Sequence, residues 1–173
     1  RCAGRSHLLS QTPCQDQVFR AEYPDGSVVV ALADGAGSAR FSHYGANLVV
    51  RRAAVWVVDN FDQLFRATNN ARRLRAQFVG DLQAELSRVA HRGLPVSASD
   101  RERLQLPSKS QQALVPCSTR DLASTLLLVA VKDNRYIAVH LGDGVVGIEI
   151  RGANGQPRTR VLGAPDNGEH ANE

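Results

Sequence analysis

Val28-Val29-Val30-Ala31-Leu32-Ala33-Asp34-Gly35-Ala36-Gly37-Ser38 is the most informative stretch of this chain. It reads as a buried strand that delivers one carboxylate, Asp34, to its end and straight into a glycine-rich turn. A carboxylate placed there holds a metal or a substrate, and Gly35 and Gly37 let backbone approach a ligand closely. Upstream, Val18 to Tyr23 and Ser27 to Ala33 are β-rich runs around Pro24-Asp25-Gly26. Pro presets φ and Gly supplies positive φ, so the pair reads as a hairpin.

Downstream the period changes. Phe41, Tyr44 and Leu48 lead into an apolar block from Val49 to Val58 that holds only Arg51 and Arg52 as charges before Asp59. Its β-branched content suits a strand, but its length suits a buried helix. Ala71 to Val89 repeats Ala71, Leu74, Phe78, Leu82, Leu86 and Val89 at three- and four-residue steps, the pattern of an amphipathic helix. Residues 92–118 carry Pro95, Pro107 and Pro116 among serines and charges, and read as a long loop or partly disordered insertion. Leu122 to Val131, Tyr136 to Leu141 and Val145 to Ile150 are further strands, joined at Asp133-Asn134 and at Gly142-Asp143-Gly144. Gly152 to Pro157 makes another turn, and Thr159 to Leu162 adds a last short strand. Strands, then helices, then strands indicate an α+β layered fold rather than a βαβ repeat.

Composition narrows the class. With 173 residues the chain is the size of one domain and large enough for its own core. It lacks methionine and stops in a polar stretch at Asn172-Glu173, as expected of a fragment. Cys2, Cys14 and Cys117 are an odd set without a C-x-x-C pair, against a disulfide framework or a cysteine-rich zinc site and for a cytoplasmic protein. No apolar run is long enough to span a bilayer, so no membrane is expected. A net charge of +4 comes mostly from arginines spread around helical stretches, and aromatics make up only 5%. That pattern is a solvated helix face rather than a nucleic-acid surface.

Three acids stand at strand ends: Asp16 before the first strand, Asp34 after the second, and Asp143 between the Tyr136 and Val145 strands. At one sheet edge they would offer the oxygen ligands that hard divalent cations prefer. Each also has a plainer reading, Asp16 as a solvated turn residue and Gly142-Asp143-Gly144 as a hairpin turn. Among the histidines, His43 reads as a surface or capping residue and His140 as a packed strand residue, with no catalytic role for either.

Together these landmarks resemble the metal-dependent protein phosphatases of type 2C, particularly their compact bacterial branch. The resemblance is carried by Gly4-Arg5-Ser6-His7 and Pro13-Cys14-Gln15-Asp16, by Ala33-Asp34-Gly35-Ala36-Gly37-Ser38 and by Ala123-Ser124-Thr125. Leu141-Gly142-Asp143-Gly144 and Gly168-Glu169-His170-Ala171-Asn172-Glu173 complete it. It implies an αββα sandwich with two or more Mn²⁺ or Mg²⁺ ions at one edge of the β-layers. Asp34 would bridge both metals, the Gly35 carbonyl would bind one, Asp16 would orient metal-bound water, and Asp143 would serve a looser site. The implied activity is hydrolysis of phosphoserine and phosphothreonine esters by a hydroxide held between the metals, attacking in line without a phosphoenzyme. The implied partner is a phosphoprotein made by a cognate Ser/Thr kinase, in a signalling role; oligomeric state stays open.

The chain also departs from that family. The further metal-binding aspartates of the family fall downstream of the Ala-Asn-Glu element, so a fragment ending at Glu173 is expected to turn over poorly. Ala36 replaces a histidine that many eukaryotic members carry after Asp-Gly, and Gln11 stands where their phosphate-binding arginine lies. Arg5 and His7 are the candidate substitutes. Cys14 to Arg20 has the Cys-x5-Arg spacing of cysteine-dependent phosphatases, but the segment has no glycine and Asp16 would raise the thiol pKa. Gly35-x-Gly37 as a nucleotide-phosphate cradle lacks the third glycine, Arg40 standing in its place. The stronger rival is a non-catalytic phosphatase-like module that keeps the sandwich as a scaffold.

Overall fold

The computed structural model describes residues 13–67, 70–106, 114–151 and 155–162. The first two strands are β1 (Gln17–Glu22) and β2 (Val28–Ala33), followed by helices α1 (Ser42–Asp59), α2 (Phe61–Phe65), α3 (Ala71–Arg92) and α4 (Ala98–Arg103). A 3₁₀ turn, Thr119–Leu122, leads into β3 (Leu126–Lys132), β4 (Arg135–Leu141), β5 (Val146–Arg151) and β6 (Pro157–Leu162). The strands form an antiparallel sheet in the order β1-β2-β3-β4 and a separate β5-β6 hairpin. The architecture is α+β, with two antiparallel sheets. The described residues supply one helical layer and two sheets of the expected α-β-β-α order.

Antiparallel pairing explains why β2 is only half buried. Side chains alternate between faces, and one face of such a sheet is free to meet water. Val29, Ala31 and Ala33 are buried, whereas Val30 and Leu32 are 40% and 45% exposed. The expectation of a buried run therefore holds for one face alone. Leu126, Leu128 and Ala130 of β3 join Val29, Ala31 and Ala33 to make the inner face.

Against it lies α1, settled as a helix despite its valines. Its buried residues Ser42, Gly45, Ala46, Val49, Val50, Ala53, Ala54 and Val57 follow the helical period. Alanines on both surfaces let helix and sheet approach closely. Phe61 of α2 and Phe78 and Leu82 of α3 extend this core, and Trp56 packs edge-on to Phe78 while donating Nε1–H to Asp81 at 2.8 Å. Gly45 interrupts α1 for a reason of packing: a Cβ there would stand 1.9 Å from the Leu122 carbonyl oxygen.

Three sequence expectations change. Gly142-Asp143-Gly144 is not a hairpin turn, because β4 pairs with β3 while β5, among the described residues, pairs with β6, so the chain changes sheets there. The strand expected from Leu122 begins at Leu126; Ser118 and Asp121 form a reciprocal capping box that closes a 3₁₀ turn first. Within 92–118, of which 107–113 lie outside the described residues, α4 occupies Ala98–Arg103, and an isolated bridge pairs Leu94 with Val115. Leu94, Val96 and Val115 are buried with Phe41, Ala90 and Leu122 in a second apolar cluster, enough to order this short stretch. The turn expected from Gly152 lies partly outside the described residues.

Candidate metal centre at the carboxylate edge of the sheet

Strand register decides which residues meet. Gln17 pairs with Ala33, Leu32 with Leu127, and Leu126 with Leu141. The start of β1, the end of β2, the start of β3 and the end of β4 therefore share one edge of the sheet. One residue beyond that edge stand Asp16, Asp34, Thr125 and Gly142, in spatial order. Neighbouring strands lie about 4.8 Å apart, so Asp16 and Asp34 are adjacent, while the segment leading to Asp143 runs about 10 Å from Asp34.

Alternation then assigns the face. Gln17 and Ala33 are buried, which turns Asp16 and Asp34 to the opposite, open face, where both are exposed. Asp143 is exposed as well. Thr125 ties the edge together: its N–H donates to the Asp34 carbonyl at 2.8 Å, and its hydroxyl accepts the Asp34 N–H at 3.0 Å. The backbone of Asp34 is thus held from β3 while its carboxylate points away from the core.

Gly35 turns inward and is buried. A Cβ on it would lie 2.7 Å from Ser42 Cβ, so only glycine lets the turn sit on the first residue of α1. Gly37 differs: nothing lies within 4 Å of the Cβ it lacks, and neither its surroundings nor its φ demands glycine. Beneath the turn, the buried Gln15 amide donates to Ser42 Oγ at 2.7 Å and to the Ala36 carbonyl at 3.5 Å, anchoring the segment that leads to Asp16. The turn itself is fastened by Ala36 N–H to the Ala123 carbonyl at 3.0 Å and by Phe41 N–H to the Asp121 carbonyl at 2.8 Å.

Two buried polar atoms near this edge, Ser124 Oγ and His140 Nε2, have no hydrogen-bond partner among the described residues. Donor chemistry suits a hard cation, since Asp16, Asp34 and Asp143 bring only oxygen. Among the described residues no three of His, Cys, Asp and Glu gather as a ready ligand set. Arg5 and His7, the candidate phosphate ligands, and the Gly168 to Glu173 element lie outside the described residues.

His43 is not the surface residue expected. Its side chain is only 13% exposed and bonds Asp100 through Nε2 at 3.1 Å. Asp100 escaped the sequence reading because its segment looked like loop. Its signal was Ser97-Ala98-Ser99-Asp100, the serine-to-acid spacing of a helix N-cap, which the Asp100 N–H to Ser97 Oγ bond at 3.1 Å realises. Ser42 gave no signal, being one serine before an apolar block.

The phosphatase class that the sequence motifs resemble is also the one that residues 3–173 match. The chain belongs to the protein phosphatase 2C family, whose family model matches residues 3–173. No protein of curated function matches it in sequence. No helix among the described residues is long and apolar enough to cross a membrane.

Proposed function

We propose that this chain carries the metal side of a phosphoprotein phosphatase site, acting on phosphoserine and phosphothreonine made by a Ser/Thr kinase in the cytoplasm. The observation that supports it is the strand register, in which Asp16 and Asp34 are next to each other on the open face of one sheet edge. Asp34 and the Gly35 carbonyl would hold Mn²⁺ or Mg²⁺, with Asp143 at a looser position and Asp16 orienting water by accepting its proton in a hydrogen bond. When bound, the ion pair supplies activated water and neutralises charge on the phosphoryl oxygens. The chain's own contribution is rigidity: Thr125 fixes Asp34 from one side, and Gln15 with Ser42 fixes the approach to Asp16 from the other. Arg5 and His7 are the groups proposed to clamp phosphate.

Loss of an outer-shell partner of a metal ligand costs roughly 10–100-fold, so removal of a direct ligand charge should cost at least about 100-fold. Asp34→Asn is therefore expected to lower Mn²⁺-dependent hydrolysis of a phenyl phosphate and of a phosphopeptide by that factor and to weaken Mn²⁺ binding. Equal turnover in Asp34→Asn and wild type would reject the reading. The absence of a three-residue ligand cluster among the described residues favours one second reading, a phosphatase-like binding module. That module would show neither turnover nor Mn²⁺ uptake in either protein.

A further inference from the structure

The first turn of α1 touches the segments on both sides of Asp34 and Asp16. Ser42 packs against Gly35 and accepts from Gln15, the residue before Asp16, while Gly45 lies on the Leu122 carbonyl. His43 and Tyr44, between them, meet α4 at Asp100. The Asp100 side chain is 8% exposed, and its oxygens have four donors. Oδ2 accepts from Ser97 Oγ at 2.7 Å, His43 Nε2 at 3.1 Å and Tyr44 OH at 3.2 Å, and Oδ1 accepts from Arg103 at 3.1 Å. Tyr44 OH accepts the Ser97 N–H at 2.8 Å, closing the network.

A buried carboxylate is costly unless hydrogen-bonded, and a network that gives it four donors favours one arrangement of the elements it joins, although Arg103 Nε finds no partner among the described residues. Holding α4 to the body does not require it, because Leu94, Val96 and Val115 already pack with Phe41 and Leu122. Among the described residues the network meets the body at the turn of α1 beneath the carboxylate edge. We propose that Asp100 is a positioning residue: through His43 and Tyr44 it fixes the first turn of α1, and through Ser42 that turn holds Gly35 and Gln15, and hence Asp34 and Asp16, in register.

His43 makes this arrangement sensitive to acid. Burial holds its pKa below the usual 6.5, against the facing Asp100 and together with Arg103; the Tyr44 ring lies tilted against it at 4.3 Å between centroids. A lowered pKa in the folded protein means that the contribution is present above 6.5 and is lost as pH falls through the lower, folded value.

Amide hydrogen exchange, corrected for intrinsic rates, tests the coupling without requiring turnover. In Asp100→Asn, residues 97–106 and residues 36–45 should lose protection together by about tenfold, while β3 keeps its own. Loss confined to 97–106 would show a local clasp and overturn the proposal. Wild type should show the same paired loss when pH is lowered below 6.5, and His43→Gln, which keeps a donor but cannot be charged, should abolish that step. A step that persists in His43→Gln also overturns it, and this arm decides should Asp100→Asn fail to fold. An activity arm rests on the phosphatase reading: Asp100→Asn should lower kcat for a phenyl phosphate more than it changes KM. Wild-type protein with neither turnover nor Mn²⁺ uptake would reject that reading and leave the exchange result to judge Asp100.

Discussion

Gly35 and Gly37 occupy the same turn, yet only Gly35 is demanded by the fold. Ser42 Cβ would stand 2.7 Å from a Cβ at 35, whereas a Cβ at 37 meets nothing within 4 Å. Gly35→Ala should therefore cost about 1–3 kcal/mol through overpacking, and Gly37→Ala should stay within about 0.5 kcal/mol of wild type. Urea denaturation of both variants measures this. Adding Ser42→Gly to Gly35→Ala removes the opposing Cβ and should recover at least about 0.5 kcal/mol as a coupling energy. Equal losses at 35 and 37, or strict additivity with Ser42→Gly, would mean that the turn relaxes freely and does not depend on Ser42. From the sequence both glycines looked alike, because the difference lies in a side chain that the fold brings beneath one of them.

Among the elements, α1 and α3 make the same distinction. Glycine inside a helix costs roughly 0.5–1 kcal/mol relative to alanine, so Gly45 in α1 and Gly80 in α3 both need explaining. Gly45 has its explanation in the Leu122 carbonyl, 1.9 Å from where a Cβ would be; Gly80 has open space. Gly80→Ala should stabilise by about 0.5–1 kcal/mol, and Gly45→Ala should destabilise by about 1–3 kcal/mol or more despite its better propensity. Thermal melts of the two variants should move in opposite directions, and a shared direction would reject the packing account. Helical periodicity made α3 legible in the sequence, and length decided for α1. The 3₁₀ turn at Thr119–Leu122 was not legible, since it receives α1, a helix far earlier in the chain at Ser42–Asp59.

For the whole molecule, ionisation sets the pH range of stability. The Lys132 and Ser27 hydrogen bonds pull Asp25 from 3.8 to about 2, and Arg135 lowers Asp62. For Asp100, burial alone would raise the pKa, but hydrogen bonds from Ser97 and Arg103 outweigh it; for His43, burial lowers it. All four groups have lowered pKa values in the folded state, so their stabilisation is present at neutral pH and lost towards acid. Cys117, raised by burial, and Lys132, raised by its Asp25 hydrogen bond, act oppositely: their contribution is present below 9.0 and 10.5 and lost above. Urea midpoints should be highest between 6.5 and 9.0, fall once through the His43 range, and fall again between 3.8 and about 2 as Asp25 protonates. A midpoint that rises as pH drops below 6.5 would contradict this account.

What the sequence determined by itself was local. β-rich runs around Pro24-Asp25-Gly26 marked β1 and β2, the three- and four-residue steps marked α3, and the run into Asp34 marked a carboxylate at a strand end; together with the other motifs these were enough to identify the family. Tertiary structure alone decided the rest. Strand order put Asp16 beside Asp34, Gly142 to Gly144 became a passage between sheets rather than a hairpin, and His43 was buried against Asp100 across 57 residues of chain. The physical reason is that periodicity records which side of an element is apolar, whereas a meeting of distant residues depends on which loops close and which surfaces pack, and no local pattern encodes that.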